Sequence, residues 1–382
     1  MATEFVPDQQ QVQESATPPS KRGKLRVWPR IVCVVLCFAG LEGILFHTGL
    51  YSSIIEPDST TGELEIQLRN EIKRPKPNRN QVLAVGHSRM ALLPRIANEM
   101  QPSTGYTFGT IGLGGTSPRD WYYSLRAVDP TARQYAAIVV PTEDYNEPDL
   151  YDDQAERESD LHYLIARLGW RDLFDFPWTY KTPKLRWEAF RGLLLKGFVY
   201  KRDFEEFLDH PRERIKKARY YDHDSFGWYY GYGGVEQNVN GIQIDWQQKL
   251  IHYPDGFTQD QKDSMHRELF PDPIPQDGRT SAYLRYWYGR IVDYYRGTGT
   301  KIIFMRVPRA PISPPDTAFK ADSAVHQMAA QPGVVVLDEH LFDQIEHPQY
   351  FWDGWHLNRE GMDLFSEILA KAVRQALGPP RT

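Results

Sequence analysis

Cysteine is scarce in this chain, and its placement excludes a fold held together by disulfide bonds. Only two cysteines occur among 382 residues, and both, Cys33 and Cys37, lie in the first long apolar run. The rest of the chain therefore cannot form an internal disulfide. Cysteine usage is compatible with an oxidising compartment but does not indicate one.

The chain also lacks a strong excess of charge of either sign. Its formal net charge is -5 and its pI is near 6.1, so there is no global basic surface and we expect no nucleic-acid partner. No internal repeat is apparent. With 41% hydrophobic and 25% charged residues, the composition is that of a globular protein with one large domain or a core domain carrying an insertion.

An apolar run follows a polar N-terminal tail. Residues 1–28 are polar and end in a basic cluster, which predicts a disordered cytoplasmic tail. Residues 29–51 are apolar apart from Arg30, Glu42 and His47. About 20 such residues cross a hydrocarbon core about 30 Å thick as a helix, so we expect a transmembrane anchor here.

The charges that flank this run predict its orientation. Basic residues precede it and acidic residues follow it, so the positive-inside rule places the N-terminus in the cytoplasm. The chain is then a single-pass protein of the cytoplasmic (inner) membrane with a periplasmic or extracellular globular part. A cleaved signal peptide is the competing interpretation, although no A-x-A-like site follows the run. A buried core helix would leave the basic flank unexplained.

The globular part alternates apolar runs with amphipathic segments. Residues 52–80 predict a juxtamembrane linker containing one helix. Strands are expected within 81–86, 106–115, 135–141, 301–308 and 333–342. This alternation indicates an α/β protein, a three-layer α/β/α fold with a parallel sheet whose ligand site lies at the carboxyl ends of the strands. We expect this domain at 81–150 and 280–378, with a mostly helical insertion at 151–279.

Two distant segments carry residues suited to nucleophilic catalysis. Ser88 follows the first strand and begins a predicted helix. A serine hydroxyl is a weak nucleophile, so it needs a general base and nearby N–H donors for an oxyanion. Asp353 and His356 precede a C-terminal amphipathic helix, with Asn358 as its expected N-cap. At that spacing a carboxylate can orient an imidazole that faces the same cleft.

These blocks resemble those of the SGNH (GDSL-like) hydrolase superfamily, whose sheet is flavodoxin-like. The blocks are the G-x-S turn at 86–88, the Gly-rich turn at 112–117 and the D-x-x-H-L-N sequence at 353–358. A single N-terminal anchor with a late D-x-x-H loop is similar to membrane-anchored cell-envelope polysaccharide O-acetyltransferase proteins, of the alginate acetylation and teichoic acid D-alanylation type. The resemblance covers 81–145 and 300–376 and leaves the insertion unexplained.

The resemblance implies a role for each matching residue. Ser88 is the expected nucleophile, His356 the general base and Asp353 its orienting partner. The backbone N–H groups of Ser88 and Gly114 are the expected oxyanion donors. No cofactor and no metal is implied.

Two positions depart from the resembling pattern. His87 stands where the motif has aspartate, and Glu143 stands where an asparagine normally donates to the oxyanion. An ionised carboxylate cannot donate a hydrogen bond. Three alternatives remain: Asn146 reaches into the site, Glu143 is protonated, or the oxyanion hole has only two donors.

Substrate contacts are predicted at three further residues. Arg89 is a candidate for an anionic substrate group, with pairing to a nearby carboxylate as the alternative. Trp228 and Tyr230 of the insertion are candidates for stacking on sugar rings, with packing onto the domain as the alternative. The Asp222-His223-Asp224 sequence reads as a solvated loop, because no further metal-ligand spacing supports it.

The resemblance implies acyl-ester chemistry outside the membrane. We expect an O-acetyltransferase that acts on an exported polysaccharide through an acyl-serine intermediate. The alternatives are an esterase or deacetylase of cell-envelope glycans and a non-catalytic glycan-binding or assembly protein. A transferase would need an acyl donor outside the cell, for which the resemblance implies a multi-spanning membrane acyltransferase as partner.

Overall fold

The computed structural model describes residues 27–90, 93–147, 156–223, 239, 241–270, 282–313 and 318–380. The strands within these ranges are β1 Gln81–Gly86, β2 Thr107–Gly112, β3 Ala137–Thr142, β4 Gln243–Asp245, β5 Leu250–His252, β6 Lys301–Arg306 and β7 Val334–Val336. The α-helices are α1 Val27–Glu42, α2 Thr60–Lys73, α3 Pro94–Glu99, α4 Gln101–Thr104, α5 Pro118–Val128, α6 Ser159–Leu164, α7 Pro183–Leu194, α8 Lys196–Val199, α9 Lys201–Asp209, α10 Pro211–His223, α11 Gln259–Leu269, α12 Tyr283–Tyr295, α13 Ala324–Ala329 and α14 Arg359–Leu377. A π-helical segment covers Gly43–His47, and short 3-10 turns cover Tyr51–Ser53, Ser88–Met90, Trp170–Phe174, Phe176–Thr179, Asp343–Ile345 and Pro348–Tyr350.

Five parallel strands form the central sheet in the order β2-β1-β3-β6-β7. This confirms the expected α/β class with a parallel sheet. Beyond β1 the chain first adds β2 on one side and then β3 on the other, so the winding direction reverses between β1 and β3. In doubly wound sheets, the crevice beyond the carboxyl ends of two such strands is where ligands bind.

Helices cover both faces of the sheet. Leu83 and Val85 of β1 join a core that includes α2, α5 and α12, whereas Val82 and Ala84 join a second core with α3 and α14. All four side chains are fully buried. A strand that is apolar on both faces needs a layer of helices on each side, as its continuous apolar sequence predicts.

Helix α2 belongs to the domain although it lies in the stretch 52–80 that was expected to be a linker. Its Leu64 and Leu68 are buried against the sheet. The Gln67 side-chain amide donates to the carbonyl of Gly112, at the end of β2, over 2.9 Å. The domain layers therefore begin at about Thr60 and not at residue 81.

The segment after Ser88 differs from the expected helix. It forms one 3-10 turn over Ser88–Met90, and the α-helix begins only at Pro94. Proline is favoured at the first position of a helix, and it disfavours helical geometry in the residue before it. The last strand is also shorter than expected, because β7 ends at Val336, two residues before the acidic pair Asp338 and Glu339.

The insertion is mostly helical over its described residues, as expected. It contributes α6 to α11, and it adds one short antiparallel hairpin, β4–β5, that the sequence pattern did not indicate. Trp228 and Tyr230, the candidate sugar-stacking residues, lie outside the described residues.

One helical stretch near the N-terminus, Trp28–Ser53, is long and apolar enough to cross a membrane. A signal sequence would meet the same criterion. Only 6% of its most apolar window is buried within the protein, so it is not a core helix. The expected apolar N-terminal helix is thus confirmed in length and composition.

Candidate active site

Ser88, His356 and Asp353 form a continuous hydrogen-bonded series although 265 residues or more separate the serine from the other two. The Ser88 hydroxyl lies 2.8 Å from Nε2 of His356. On the other side of the ring, Nδ1 of His356 lies 2.8 Å from Oδ2 of Asp353. A nucleophile, a base and an orienting carboxylate within hydrogen-bond reach are the elements of a serine triad.

The loop before α14 fixes the position of the imidazole. Oδ1 of Asp353 accepts the backbone N–H groups of Trp355 at 2.7 Å and of His356 at 2.6 Å. An antiparallel bridge pairs Phe351 with Leu357 and closes the base of the loop. Asp353 therefore holds both the backbone and the ring of His356, which leaves the imidazole little freedom.

The helix that follows is capped as the sequence predicts. The Asn358 side-chain oxygen accepts the backbone N–H of Gly361 over 2.9 Å. Within the loop, a side chain at Gly354 would overlap Ile312. A larger residue here would require the buried Ile312 side chain to shift, so the packing of Ile312 also constrains the loop.

Asp353 is held in its ionised form. Desolvation by burial opposes ionisation, but the hydrogen bond from His356 and the two backbone donors outweigh it and lower the pKa of Asp353 below its usual range. A carboxylate at this position favours the tautomer of His356 that carries its proton on Nδ1. Nε2 can then accept the proton of the Ser88 hydroxyl.

The tight end of β1 positions Ser88. A side chain at Gly86 would approach Met90 to 2.5 Å and Pro141 to 2.7 Å. Gly86 therefore allows the backbone to turn directly against β3, so that Ser88 emerges at the crevice between β1 and β3. Ser88 itself is partly exposed, whereas the neighbouring Arg89 is buried.

The Gly-rich turn after β2 lies beside the serine. A Cβ placed on Gly114 would be 3.8 Å from Cβ of Ser88. Gly115 has a φ of 76°, a left-handed conformation that glycine adopts without strain. The structure thus brings Gly114 next to Ser88, as the resemblance implies.

Two residues of the insertion hold this turn, and the sequence motifs gave no sign of either. The Tyr163 hydroxyl donates to the carbonyl of Gly114 over 2.8 Å. The Arg157 guanidinium donates to the carbonyl of Gly115. Both carbonyls face the insertion, so α6 and the segment before it support the geometry of the turn.

Glu143 lies at the end of β3 and pairs with two residues beside the serine. Its Oε2 accepts Nη1 of Arg89 over 2.6 Å, and its Oε1 lies 3.0 Å from Nε2 of His87. The side chain is half-exposed, at 50% of its surface. The three residues form one connected group along the rim of the site, in which the Arg89 guanidinium offsets the carboxylate charge.

This pairing decides between the alternatives for Glu143. Desolvation disfavours the charged carboxyl, but Arg89 and His87 outweigh it and lower the pKa of Glu143 to about 2. Glu143 is therefore ionised near neutral pH and accepts hydrogen bonds instead of donating one. The alternative of a protonated Glu143 in the oxyanion hole is wrong for this geometry.

Asn146 is directed away from the candidate oxyanion hole. It is buried, and its side-chain oxygen accepts the backbone N–H of Lys320 at 3.1 Å and lies 3.2 Å from Nε2 of His326. Of the three alternatives, a hole built from the N–H groups of Ser88 and Gly114 is the one that fits these contacts.

Arg89 is occupied by the protein itself. Besides Glu143, its guanidinium donates to the carbonyl of Pro308, and the residue is only 7% exposed. These contacts favour the carboxylate-pairing interpretation over direct binding of an anionic substrate.

A cleft with a cavity volume of about 130 Å³ opens beside His87 and reaches the insertion, and neither Ser88 nor His356 is among its lining residues. Its lining includes His87 and Glu143 at the sheet, Trp121 from α5 and Arg157 from the insertion. It is lined by both polar and aromatic groups, which suits a ligand with hydroxyl groups.

No group of metal-ligating side chains occurs among the residues that the structure describes. Asp222 and His223 end α10, and Asp224 lies outside the described residues. A comparison with known protein-family models finds no match for this chain, and a comparison with curated proteins finds none either. The fold and the geometry of the site therefore carry the functional argument.

Proposed function

We propose that this chain is a membrane-anchored serine acyl-ester enzyme, an O-acetyltransferase that modifies an exported polysaccharide through an acyl-serine intermediate. The observation that carries the proposal is the alignment of Ser88, His356 and Asp353, with 2.8 Å at each of the two joining contacts. The site also lies where the winding of the sheet reverses, which is the usual ligand position in doubly wound folds. The SGNH resemblance implies the same three residues in the same roles.

In the first half of the reaction the acyl group moves to the enzyme. Oγ of Ser88 attacks the ester carbonyl of the donor while Nε2 of His356 takes the hydroxyl proton. The carbonyl oxygen becomes an oxyanion that the N–H groups of Ser88 and Gly114 bind. When the ester C–O bond breaks, His356 returns the proton to the departing alcohol oxygen, and an acyl ester remains on Ser88.

In the second half the acyl group moves to an acceptor. A sugar hydroxyl gives its proton to His356 and attacks the acyl carbonyl, and the Ser88 oxygen leaves and takes that proton back. Asp353 stabilises the imidazolium formed in each half. Water in place of the sugar would give hydrolysis, so exclusion of water from the cleft decides between transferase and esterase.

The charged group at the rim is compatible with this chemistry. Glu143 carries a negative charge near a developing oxyanion, but Arg89 at 2.6 Å offsets that charge. With two backbone donors instead of three, we expect a slower enzyme, since one lost oxyanion donor costs about 10²–10³ in rate.

The proposed location follows from the N-terminal helix and its basic flank. The chain would cross the cytoplasmic (inner) membrane once, with its N-terminus inside and its catalytic domain periplasmic or extracellular. An acyl donor must then be supplied outside the cytoplasm. A multi-spanning membrane acyltransferase is the proposed partner, and an acyl ester is the proposed donor.

Trapping of an acyl group tests the serine site. The full-length chain in detergent is incubated with p-nitrophenyl acetate, and release of nitrophenol and mass of the Ser88 peptide are followed. We expect turnover and an acetyl adduct that are absent in Ser88→Ala. His356→Ala should abolish turnover as well. Ser103→Ala and His340→Ala are matched controls, because both side chains lie on exposed surface segments.

Product analysis separates the two enzymatic alternatives. With oligosaccharide acceptors present, acetylated oligosaccharide supports the transferase, whereas free acetate alone selects an esterase or deacetylase. A folded wild-type protein that gives neither turnover nor adduct would refute both.

A non-catalytic glycan-binding or assembly role is the second candidate, and the ionised Glu143 at the usual asparagine position favours it. In that case, oligosaccharide would bind to wild type and to Ser88→Ala with equal affinity in calorimetry, without any acetyl transfer.

A further inference from the structure

The insertion exposes an unusual number of large apolar side chains on one connected set of elements. They lie on the two 3-10 turns Trp170–Phe174 and Phe176–Thr179 and on helices α7 and α8. We call them the aromatic surface, and its members are Trp170, Phe174, Trp178, Trp187, Leu194 and Phe198. Their exposed fractions run from 39% at Leu194 to 81% at Phe174. The elements that carry them contact one another, and large exposed apolar side chains grouped in this way favour an interaction site.

The N-terminal helix docks directly against this surface. The ring of His47 stacks on Trp170 with centroids 4.4 Å apart. Glu42, which is buried, accepts the backbone N–H of Gly197 over 2.9 Å, next to Phe198. Trp170 and Phe198 of the aromatic surface therefore lie at the level of residues 42–47 of the helix.

The exposed part of the helix, which we call the free part, determines how deep residues 42–47 lie in a bilayer. Every described residue from Trp28 to Leu41 is exposed, and protein contacts begin at Glu42. At a rise of about 1.5 Å per residue, this free part spans about 21 Å. A bilayer has a hydrocarbon core about 30 Å thick, so the free part falls about 9 Å short.

The remaining apolar length lies beside the insertion. Ile44 and Leu50 are 57% and 59% exposed, and they extend the apolar surface of the helix past Glu42. If the helix crosses the bilayer, the hydrocarbon must cover these residues too. Trp170 and Phe198 are at the same height and must then also meet lipid.

Composition of the aromatic surface agrees with an interfacial position. Tryptophan is enriched at membrane–water interfaces, where its ring meets lipid and its N–H meets water. Exposed basic residues, including Lys184 and Arg191, lie among the apolar ones on α7, and the Arg191 guanidinium lies over the Phe198 ring at 5.5 Å. Basic and aromatic side chains together favour a surface of anionic lipid.

We propose that the aromatic surface of the insertion lies in the lipid leaflet from which the N-terminal helix emerges. The domain is then seated in the membrane by two elements, a spanning helix and an interfacial platform. The inference rests on the proposed membrane anchor but not on the proposed chemistry. Glu42 is tolerated in the apolar run because its carboxylate is buried against the insertion and hydrogen-bonded there.

Spin-label accessibility tests the proposal in single-copy nanodiscs of phosphatidylethanolamine and phosphatidylglycerol. The full chain carries Cys33→Ser and Cys37→Ser, and one label at a time through Phe174→Cys or Phe198→Cys. Val35→Cys is the lipid control within the helix, and Phe319→Cys, at a residue 73% exposed, is the surface control. We expect Phe174 and Phe198 to collide with oxygen and lose most collisions with a water-soluble nickel chelate, as Val35 does, whereas Phe319 shows the reverse.

The outcomes separate the possible failures. Nickel collisions at Phe174 and Phe198 equal to those at Phe319, with Val35 in lipid, would overturn the interfacial platform and leave the anchor standing. Loss of both oxygen and nickel collisions would mean that protein covers the surface, which also overturns the proposal. Nickel contact at Val35 would refute the anchor and the platform together. Turnover of p-nitrophenyl acetate in the same samples reports on the chemistry separately.

Discussion

Replacing Asp353 with asparagine tests the orientation of the imidazole at nearly constant shape. In the native loop, Oδ1 accepts two backbone N–H groups and Oδ2 faces Nδ1 of His356. An asparagine has one oxygen to accept the two backbone donors, so its NH₂ must face Nδ1. Two donors cannot share a hydrogen bond, and the ring is therefore forced into the tautomer with its proton on Nε2. That tautomer cannot take the proton of Ser88.

The expected loss follows from this change of tautomer. In a serine triad the corresponding substitution lowers kcat by about 10⁴, equivalent to about 5 kcal/mol of transition-state stabilisation. The assay is steady-state p-nitrophenyl acetate turnover by the full chain in detergent, with circular dichroism as the check on folding. We expect Asp353→Asn to retain the fold and lose nearly all activity.

The chain supplies its own matched control. His340 and Asp343 also stand three residues apart, with Nδ1 3.1 Å from Oδ2, but both side chains are exposed. Asp343→Asn should leave turnover unchanged, because no serine completes that pair. A folded Asp353→Asn variant with kcat/KM within about tenfold of wild type would refute the proposed role of the carboxylate.

Three further predictions concern the surroundings of the triad. Tyr163→Phe removes the hydroxyl that holds the Gly114 carbonyl at 2.8 Å, so kcat should fall severalfold with KM unchanged; an unchanged kcat in steady-state kinetics would contradict this. Glu143→Gln leaves the buried guanidinium of Arg89 without its counter-charge, so the free energy of unfolding measured with denaturant should fall by about 1–3 kcal/mol. An unchanged free energy of unfolding would contradict a stabilising role for this pair. The depressed pKa of Asp353 gives stability that is present above its unfolded pKa of about 4 and is lost as pH falls through the folded value. The difference between the unfolding midpoints of wild type and Asp353→Asn should therefore shrink progressively as pH falls from about 4 through the folded pKa, and a constant difference would contradict the assignment.

The strands of the sheet could be predicted because each one is a short apolar run that is visible in the local sequence. The runs at 81–86 and 301–306 are apolar on both faces, and such runs have few structural alternatives when amphipathic segments separate them. The 3-10 turn at Ser88 was not predictable from hydrophobic spacing, since spacing does not distinguish it from a helix. The α-helix that follows begins at Pro94, a residue type favoured at the first helical position.

The site was predictable only in the residues that belong to motifs. Ser88, Gly114, Asp353 and His356 stand in recognisable blocks, and the structure brings them together. Tyr163 belongs to no block, because it acts through one hydroxyl on a backbone carbonyl 49 positions away. Contacts of that kind depend on how the insertion folds back over the sheet, which no local pattern encodes.

The two residues that depart from the SGNH-like motifs, His87 and Glu143, contact each other in the structure. His87 and Glu143 follow two different strands, β1 and β3, and are far apart in the sequence. In the structure, Nε2 of His87 lies 3.0 Å from Oε1 of Glu143. Arg89 binds the second carboxylate oxygen of Glu143. His87 and Glu143 are therefore partners of each other, and Arg89 completes the group. A glutamate without Arg89 would be a costly charge at this position, and with Arg89 and His87 beside it the carboxylate is a fixed acceptor next to Ser88. The contacts therefore assign the carboxylate to positioning His87 and Arg89, and in the proposed mechanism backbone donors bind the oxyanion.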